Sequence, residues 1–140
     1  RRRRVPLAAG GDRREEQPES GIMSDCIFCR IVRGEIPSKK VYEDEEIFAF
    51  HDVNPIAPVH FMIVPKLHIA SLMEVDMSHQ LLLGRMLAKA NELAVSQGLK
   101  EGFRTIINTG RIGHQEVYHL HAHILGGPEP LGSMLKRKAP

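Results

Sequence analysis

The stretch whose reading decides the fold is His119-Leu120-His121-Ala122-His123-Ile124-Leu125. Side chains alternate across a β-strand, so this run puts three imidazoles on one face and Leu120, Ala122 and Ile124 on the other. The apolar set reads as the core side of a sheet, and the histidines as lining a surface or cleft. Histidine has no marked strand preference that would account for three same-face positions in succession. The strand is read over residues 117–125, and Gly126-Gly127-Pro128 ends it.

Outward from that strand the pattern stays regular. Residues 103–108 alternate as another strand. One long helix runs from about Ser78 to Gln97, with Leu83, Leu87, Ala90 and Ala94 at helical spacing, Ser78 as cap and Gly98 as stop. Phe61-Met62-Ile63-Val64 suits a buried strand over residues 60–64, ended by Pro65. The preceding segment, 52–58, holds Pro55 and Pro58 and is a loop. Residues 41–43 and 47–51 read as strands around the acidic turn Asp44-Glu45. A short helix carries Ile27, Phe28, Ile31 and Val32 on one side, capped by Ser24 or Asp25 and closed by Gly34. Five strands with short connections, and helices before and between them, predict an α+β fold with a five-stranded antiparallel sheet.

A chain of 140 residues holds one domain, and a hydrophobic content of 42% is ordinary for a globular protein. No apolar run approaches the ~20 residues of a membrane helix. The formal charge of +2 resides in residues 1–22, where six arginines face four acids. The remainder has no net basicity to track a phosphate backbone, so nucleic acid is not an expected partner. Residues 1–22 lack the apolar centre of a secretory signal and read as a disordered leader. Met23 reads as the natural start, the leader as an appended segment or start-site artefact, and 23–140 as the domain, with an irregular tail from about 128. Two cysteines without an export signal point to a reducing, cytoplasmic setting rather than a disulfide.

Eight histidines is a high count, and His60, His68 and His114 accompany the row of three. Three readings are open. One is a half-exposed strand bearing surface histidines. A second is a metal site, which strand geometry restricts: positions four apart lie ~13 Å apart, whereas a zinc–nitrogen bond is about 2 Å. His119 and His123 therefore cannot share one ion on a regular strand, and the set should divide between roles. The third is nucleophilic catalysis by the central His121, with flanking imidazoles to orient it, bind an anionic phosphate or supply a proton.

The triad, with Phe50-His51-Asp52-Val53-Asn54-Pro55, Val64-Pro65-Lys66-Leu67-His68, Gln115-Glu116-Val117-Tyr118 and Leu125-Gly126-Gly127, resembles the histidine triad (HIT) superfamily and, within it, the Hint branch. The resemblance extends from about Asp25 to the C-terminus. It implies a HIT-like fold and a hydrolase of purine nucleoside 5′-phosphoramidates, adenosine 5′-monophosphoramidase-like, acting on AMP or GMP conjugates with amines, aminoacyl-AMP among them. His121 would attack the α-phosphorus, expel an amine and form a nucleotidyl-histidine that water then cleaves. His123 would bind the phosphate or leaving group, His60 would support the cluster, and His119 would complete it. Asp52 matches a residue that grips the ribose hydroxyls, and Val53 would lie against the base. Asn108, Gln115 and Val117 match ribose- and phosphate-side contacts, with Glu116 among them.

Two departures stand out. Glu116 occupies a position where eukaryotic relatives often carry Ser, and His114 one where Gly is common. A carboxylate beside a phosphate is unfavourable unless it turns toward the leaving amine or bulk water. The pair Cys26 and Cys29 matches bacterial relatives that bind zinc, which with His68 and His119 would make a closed, structural four-ligand site; catalysis would require no cofactor. The alternative is two buried, inert thiols. The resemblance also implies a homodimer joined across the long helix and the fourth strand. Rival activities are a dinucleoside polyphosphate hydrolase, a metal-dependent hydrolase, and a nucleotide-binding scaffold with incidental hydrolysis.

Overall fold

The two most hydrophobic segments of the chain lie side by side in the middle of one sheet. The computed structural model describes residues 25–135. The expected leader, Met23 and the Ser24 cap lie outside the described residues. The strands are β1 (Lys40–Glu43), β2 (Ile47–His51), β3 (Val59–Pro65), β4 (Arg104–Ile106) and β5 (Ala122–Gly126). Helix α1 (Ile27–Val32) precedes them, and α2 (Gln80–Ser96) links β3 to β4. All pairings are antiparallel, in the order β1-β2-β3-β5-β4. This is the five-stranded α+β sheet expected from the sequence.

In β2 and β3 the apolar residues run without polar alternation because both faces of the sheet are covered. On one face Ile47, Ala49, Phe61, Ile63 and Ile124 pack with Met86, Ala90, Leu93 and Ala94 of α2. On the other, Phe48, Phe50, Met62 and Val64 pack with Phe28 and Ile31 of α1. The β1–β2 turn is built by Asp44, whose Oδ1 accepts from the Glu46 and Ile47 N–H groups at 2.8 and 2.9 Å. Its Oδ2 accepts from the Tyr42 hydroxyl and from Arg85 of α2, tying the hairpin to the helix.

Several boundaries differ from expectation, each for a local reason. Asp25 does not cap α1; Cys26 does, its Sγ accepting from the Cys29 N–H at 3.4 Å, and Ile27 is exposed. Ahead of α2, Asp76 caps a 3-10 turn (Met77–His79), so the long helix starts two residues after Ser78. The buried stripe of α2 is Met86, Ala90, Leu93 and Ala94. Leu87 is rotated away from it and is 51% exposed.

Near the triad the ladder starts late. β5 pairs only from Ala122, because the Leu120 N–H donates to the Ile69 carbonyl at 2.7 Å instead of to a neighbouring strand. β4 is correspondingly short.

The core depends most on side chains sealed between the sheet and α2. Ile63→Ala, at a position with no exposure, is expected to cost about 2–4 kcal/mol through lost transfer energy and the cavity left behind. A lowered urea midpoint with unchanged m-value would show it.

Candidate active site

Six rings follow one another beneath α1 and along the end of β5. The order is His68, His119, Phe28, His121, His123, His60, with successive centroids 4.8 to 5.9 Å apart. Phe28 is placed there because α1 buries one face against the sheet, and its edge meets both His119 and His121. His119 and His121 therefore do not line an open surface, with no exposure and 6% exposure, and His123 is half-buried. The three histidines keep to one side, and each has a different partner.

Hydrogen-bond geometry assigns the protons. His121 Nδ1 lies 2.7 Å from the main-chain oxygen of His119. A carbonyl only accepts, so Nδ1 carries the hydrogen and Nε2 keeps a bare lone pair. His60 Nδ1 receives the Ile56 N–H at 3.2 Å, so the His60 hydrogen is on Nε2. That Nε2–H donates to His123 Nδ1 at 2.9 Å, and His123 in turn carries its hydrogen on Nε2. One imidazole thus offers a nucleophilic nitrogen, and its neighbour offers a donor.

The same burial keeps these rings neutral. Desolvation lowers the pKa of His60 and outweighs the opposing charge of Asp52. Desolvation also lowers that of His121, against the pull of the His119 carbonyl. His123 is lowered to about 4, by desolvation first and then by the charges of His121 and His60.

His119 faces the other way, into a cluster with Cys26, Cys29 and His68. Its Nε2–H donates to the Pro65 carbonyl at 2.8 Å, which leaves Nδ1 bare. That Nδ1 lies 3.5 Å from Cys26 Sγ, 3.6 Å from Cys29 Sγ and 3.2 Å from His68 Nδ1; Cys29 Sγ lies 3.4 Å from His68 Nδ1. Tetrahedral zinc bonds of about 2.3 Å to sulfur and 2.0–2.1 Å to nitrogen require S···N edges of about 3.6 Å and N···N edges of about 3.3 Å. The four donors therefore fit such an ion, and the Pro65 carbonyl supplies the outer hydrogen bond that fixes a ligating imidazole. Hydrogen bonding with Cys29, together with burial, pushes the Cys26 thiol up. Asp52, His60 and His123 also converge. The His60 nitrogen facing that group already bears its hydrogen, however, so the group serves as a proton network.

A cleft of about 740 Å³ opens beside His60, lined by Asp52, Val53, His51, Lys39 and Ser38 among others. Val53 is 87% exposed there. Lys39 and Ser38 carry no motif in the sequence, whereas His51 stands within the block from Phe50 to Pro55. The turn that brings 37–39 against the end of β2, held by the Lys39 carbonyl accepting from the His51 N–H at 2.9 Å, left no motif. Gln115 is buried, and its amide serves the loop. Oε1 accepts from the Gly110 N–H, while Nε2 donates to the Ala70 and Val117 carbonyls. Val117 packs against the α1-side core, and Asn108 is half-buried just beyond β4. Glu116 is exposed and paired with His114 at 3.3 Å. His114 itself has φ +60°, the sole positive φ outside glycine among the described residues.

Comparison with known proteins agrees with this geometry. The family described as "Scavenger mRNA decapping enzyme C-term binding" matches residues 25–139. Protein HitA of Neisseria gonorrhoeae is 52% identical over 106 residues, covering 76% of this chain and 99% of that protein. The purine nucleoside phosphoramidase of Escherichia coli (strain K12) is 47% identical over 115 residues, covering 81% and 96%. A solved histidine triad protein from Clostridium difficile superposes with a TM-score of 0.75 at 45% identity, covering 79% of this chain and 97% of that one.

Burial of neutral imidazoles makes folding pH-dependent with a definite sign. The His60 and His123 pKa values lie below their unfolded values, so the unfolded chain binds more protons as pH falls. Stability is fully present above about 6.5 and declines as pH drops toward about 4. Urea midpoints measured across that window should fall, with a shallower slope in His123→Asn. An NMR titration should find the His123 ring still neutral at the lower histidine range; a midpoint at 6.5 or above would contradict the assignment.

Proposed function

Because this chain belongs to the histidine triad (HIT) superfamily, in its Hint-like branch, we propose that it is a purine nucleoside 5′-phosphoramidase. It would cleave the P–N bond of AMP or GMP conjugates with amines, aminoacyl-AMP included. At the coarser level, the chain is a HIT-family nucleotide hydrolase. The observation that carries the finer reading is the bare Nε2 of His121, fixed by the bond from its Nδ1–H to the His119 carbonyl. A buried imidazole that stays neutral and cannot turn is a nucleophile ready at neutral pH.

In the reaction the Nε2 lone pair of His121 forms a bond to the α-phosphorus. The P–N bond breaks with its electron pair on nitrogen, which takes a proton from solvent and departs as an amine; the water of the second step returns a proton to solvent. Water then displaces His121 from the nucleotidyl intermediate and releases the monophosphate. His123 contributes its Nε2–H toward a phosphoryl oxygen, where charge develops. Asp52 accepts the ribose hydroxyls, and Val53 lies against the base, with Asn108, Val117 and the Gln115 loop bordering the phosphate. Glu116, in the exposed pair with His114, faces the side where the amine leaves.

The Cys26, Cys29, His68 and His119 donors hold a structural zinc ion, which ties α1 to the chain ahead of β5 and supplies no step of the chemistry. Two copies of the chain join across α2 and β4; the exposed Leu81, Leu87 and Val95 of α2 are suited to such a contact. No helix among the described residues is long and apolar enough to cross a membrane, and the cytoplasm is the proposed location.

Hydrolysis of an adenosine 5′-phosphoramidate tests the reading. Wild type should turn it over faster than a dinucleoside polyphosphate, and His121→Ala should lose several orders of magnitude. Activity surviving in His121→Ala removes the nucleophile, and tight AMP binding without turnover moves the function to a scaffold. Metal analysis of protein purified without chelator should give about one zinc per chain. Chelation should lower Tm while kcat changes by less than about threefold.

A further inference from the structure

His60 belongs to two places at once. It lines the cleft with Asp52 and Val53, and of the residues lining that cleft it is the one hydrogen-bonded to the triad, through His123. Its side chain is almost fully buried, at 5% exposure, so this link is not shared with water.

The single hydrogen on His60 has two acceptors within reach. The Ile56 N–H fills Nδ1, so the hydrogen on Nε2 is the only one the ring has to give. It points to His123 Nδ1 at 2.9 Å and has Asp52 Oδ2 nearby at 3.4 Å. The other Asp52 oxygen already accepts from the Asn54 N–H at 2.8 Å. Oδ2, which faces His60, is therefore the oxygen with more room to accept from a hydroxyl-bearing ligand in the cleft.

A vicinal diol donating to Oδ2 occupies its lone pairs and spreads the carboxylate charge. The His60 hydrogen then passes wholly to His123. Hydrogen bonds in series polarise one another in a dry site, so a stronger bond into His123 Nδ1 makes its Nε2–H a better donor to a phosphoryl oxygen. We propose that His60 is a positioning residue that conveys ribose engagement at Asp52 to His123, so that the 2′,3′-diol of the substrate speeds the chemical step as well as anchoring the nucleoside. This rests on the phosphoramidase reading. It separates from plain anchoring because a contact made equally in ground and transition states changes KM and leaves kcat alone.

The experiment compares adenosine 5′-phosphoramidate with its 2′,3′-dideoxy counterpart in wild type and in His60→Gln. A glutamine amide has two hydrogens, one for each acceptor, so the competition for a single proton disappears. In wild type, loss of the diol should lower kcat about tenfold or more. In His60→Gln that kcat ratio should fall below about threefold while the KM ratio persists. A diol effect confined to KM in wild type, or equal kcat ratios in the two proteins, would overturn the proposal. Should His60→Gln fail to fold, Asp52→Asn keeps the acceptor for Asn54 and should likewise bring the kcat ratio toward one; an undiminished ratio there counts against the proposal.

Absence of turnover on both substrates in wild type would defeat the phosphoramidase reading by itself. The coupling is then judged from ¹H–¹⁵N spectra of wild type with AMP and with 2′,3′-dideoxy-AMP. The His60 Nε2–H resonance should move downfield with AMP alone. Identical positions with the two nucleotides would overturn the coupling.

Discussion

The hydrogen bond from His121 Nδ1–H to the His119 carbonyl, 2.7 Å long, is the constraint on which the rest of the site depends. It joins two residues only two positions apart, so it exists only where the chain departs from an extended ladder. The departure is arranged by the neighbours. The Leu120 N–H turns to the Ile69 carbonyl, the His119 ring is held by the Pro65 carbonyl, and Phe28 closes over both rings. If β5 extended back to residue 117 as a regular strand, the His119 carbonyl would point at a neighbouring strand and His121 would choose its tautomer freely.

Burial is what gives that choice chemical value. A charged imidazole in this setting is costly, whereas a neutral one with both nitrogens accounted for is not. Three of the imidazoles have their proton assigned by a main-chain group: the His119 carbonyl for His121, the Ile56 N–H for His60, and the Pro65 carbonyl for His119. The main chain thereby sorts chemically identical side chains into one with a bare Nε2, one that donates to its neighbour and one whose Nδ1 faces the cysteines.

Much of this was legible in the sequence. The alternation over residues 122–125 and the solid run 61–64 read as strands, because the period of a strand is two and a run without polar residues needs cover on both faces. The sheet and the long helix followed from these. The phase of α2 was legible in part: Ala90 and Ala94 are buried and Leu83 packs against the core. Leu87 matches the helical period as well as Met86 and Leu93 do but is exposed, and only packing against the sheet selects between them. The late start of β5 and the Cys26 cap were hidden for a related reason, since both depend on main-chain partners far away in sequence. Ser38 and Lys39 reach the cleft through a turn with no signature, while Gln115 matches a ligand contact by position but turns its amide to the loop.

The most direct test of the account is a long-range ¹H–¹⁵N correlation spectrum of the His121 imidazole in the folded wild-type protein near neutral pH. The account predicts a hydrogen on Nδ1 and an unprotonated Nε2. A hydrogen on Nε2 would cap the nitrogen assigned to attack phosphorus and contradict it.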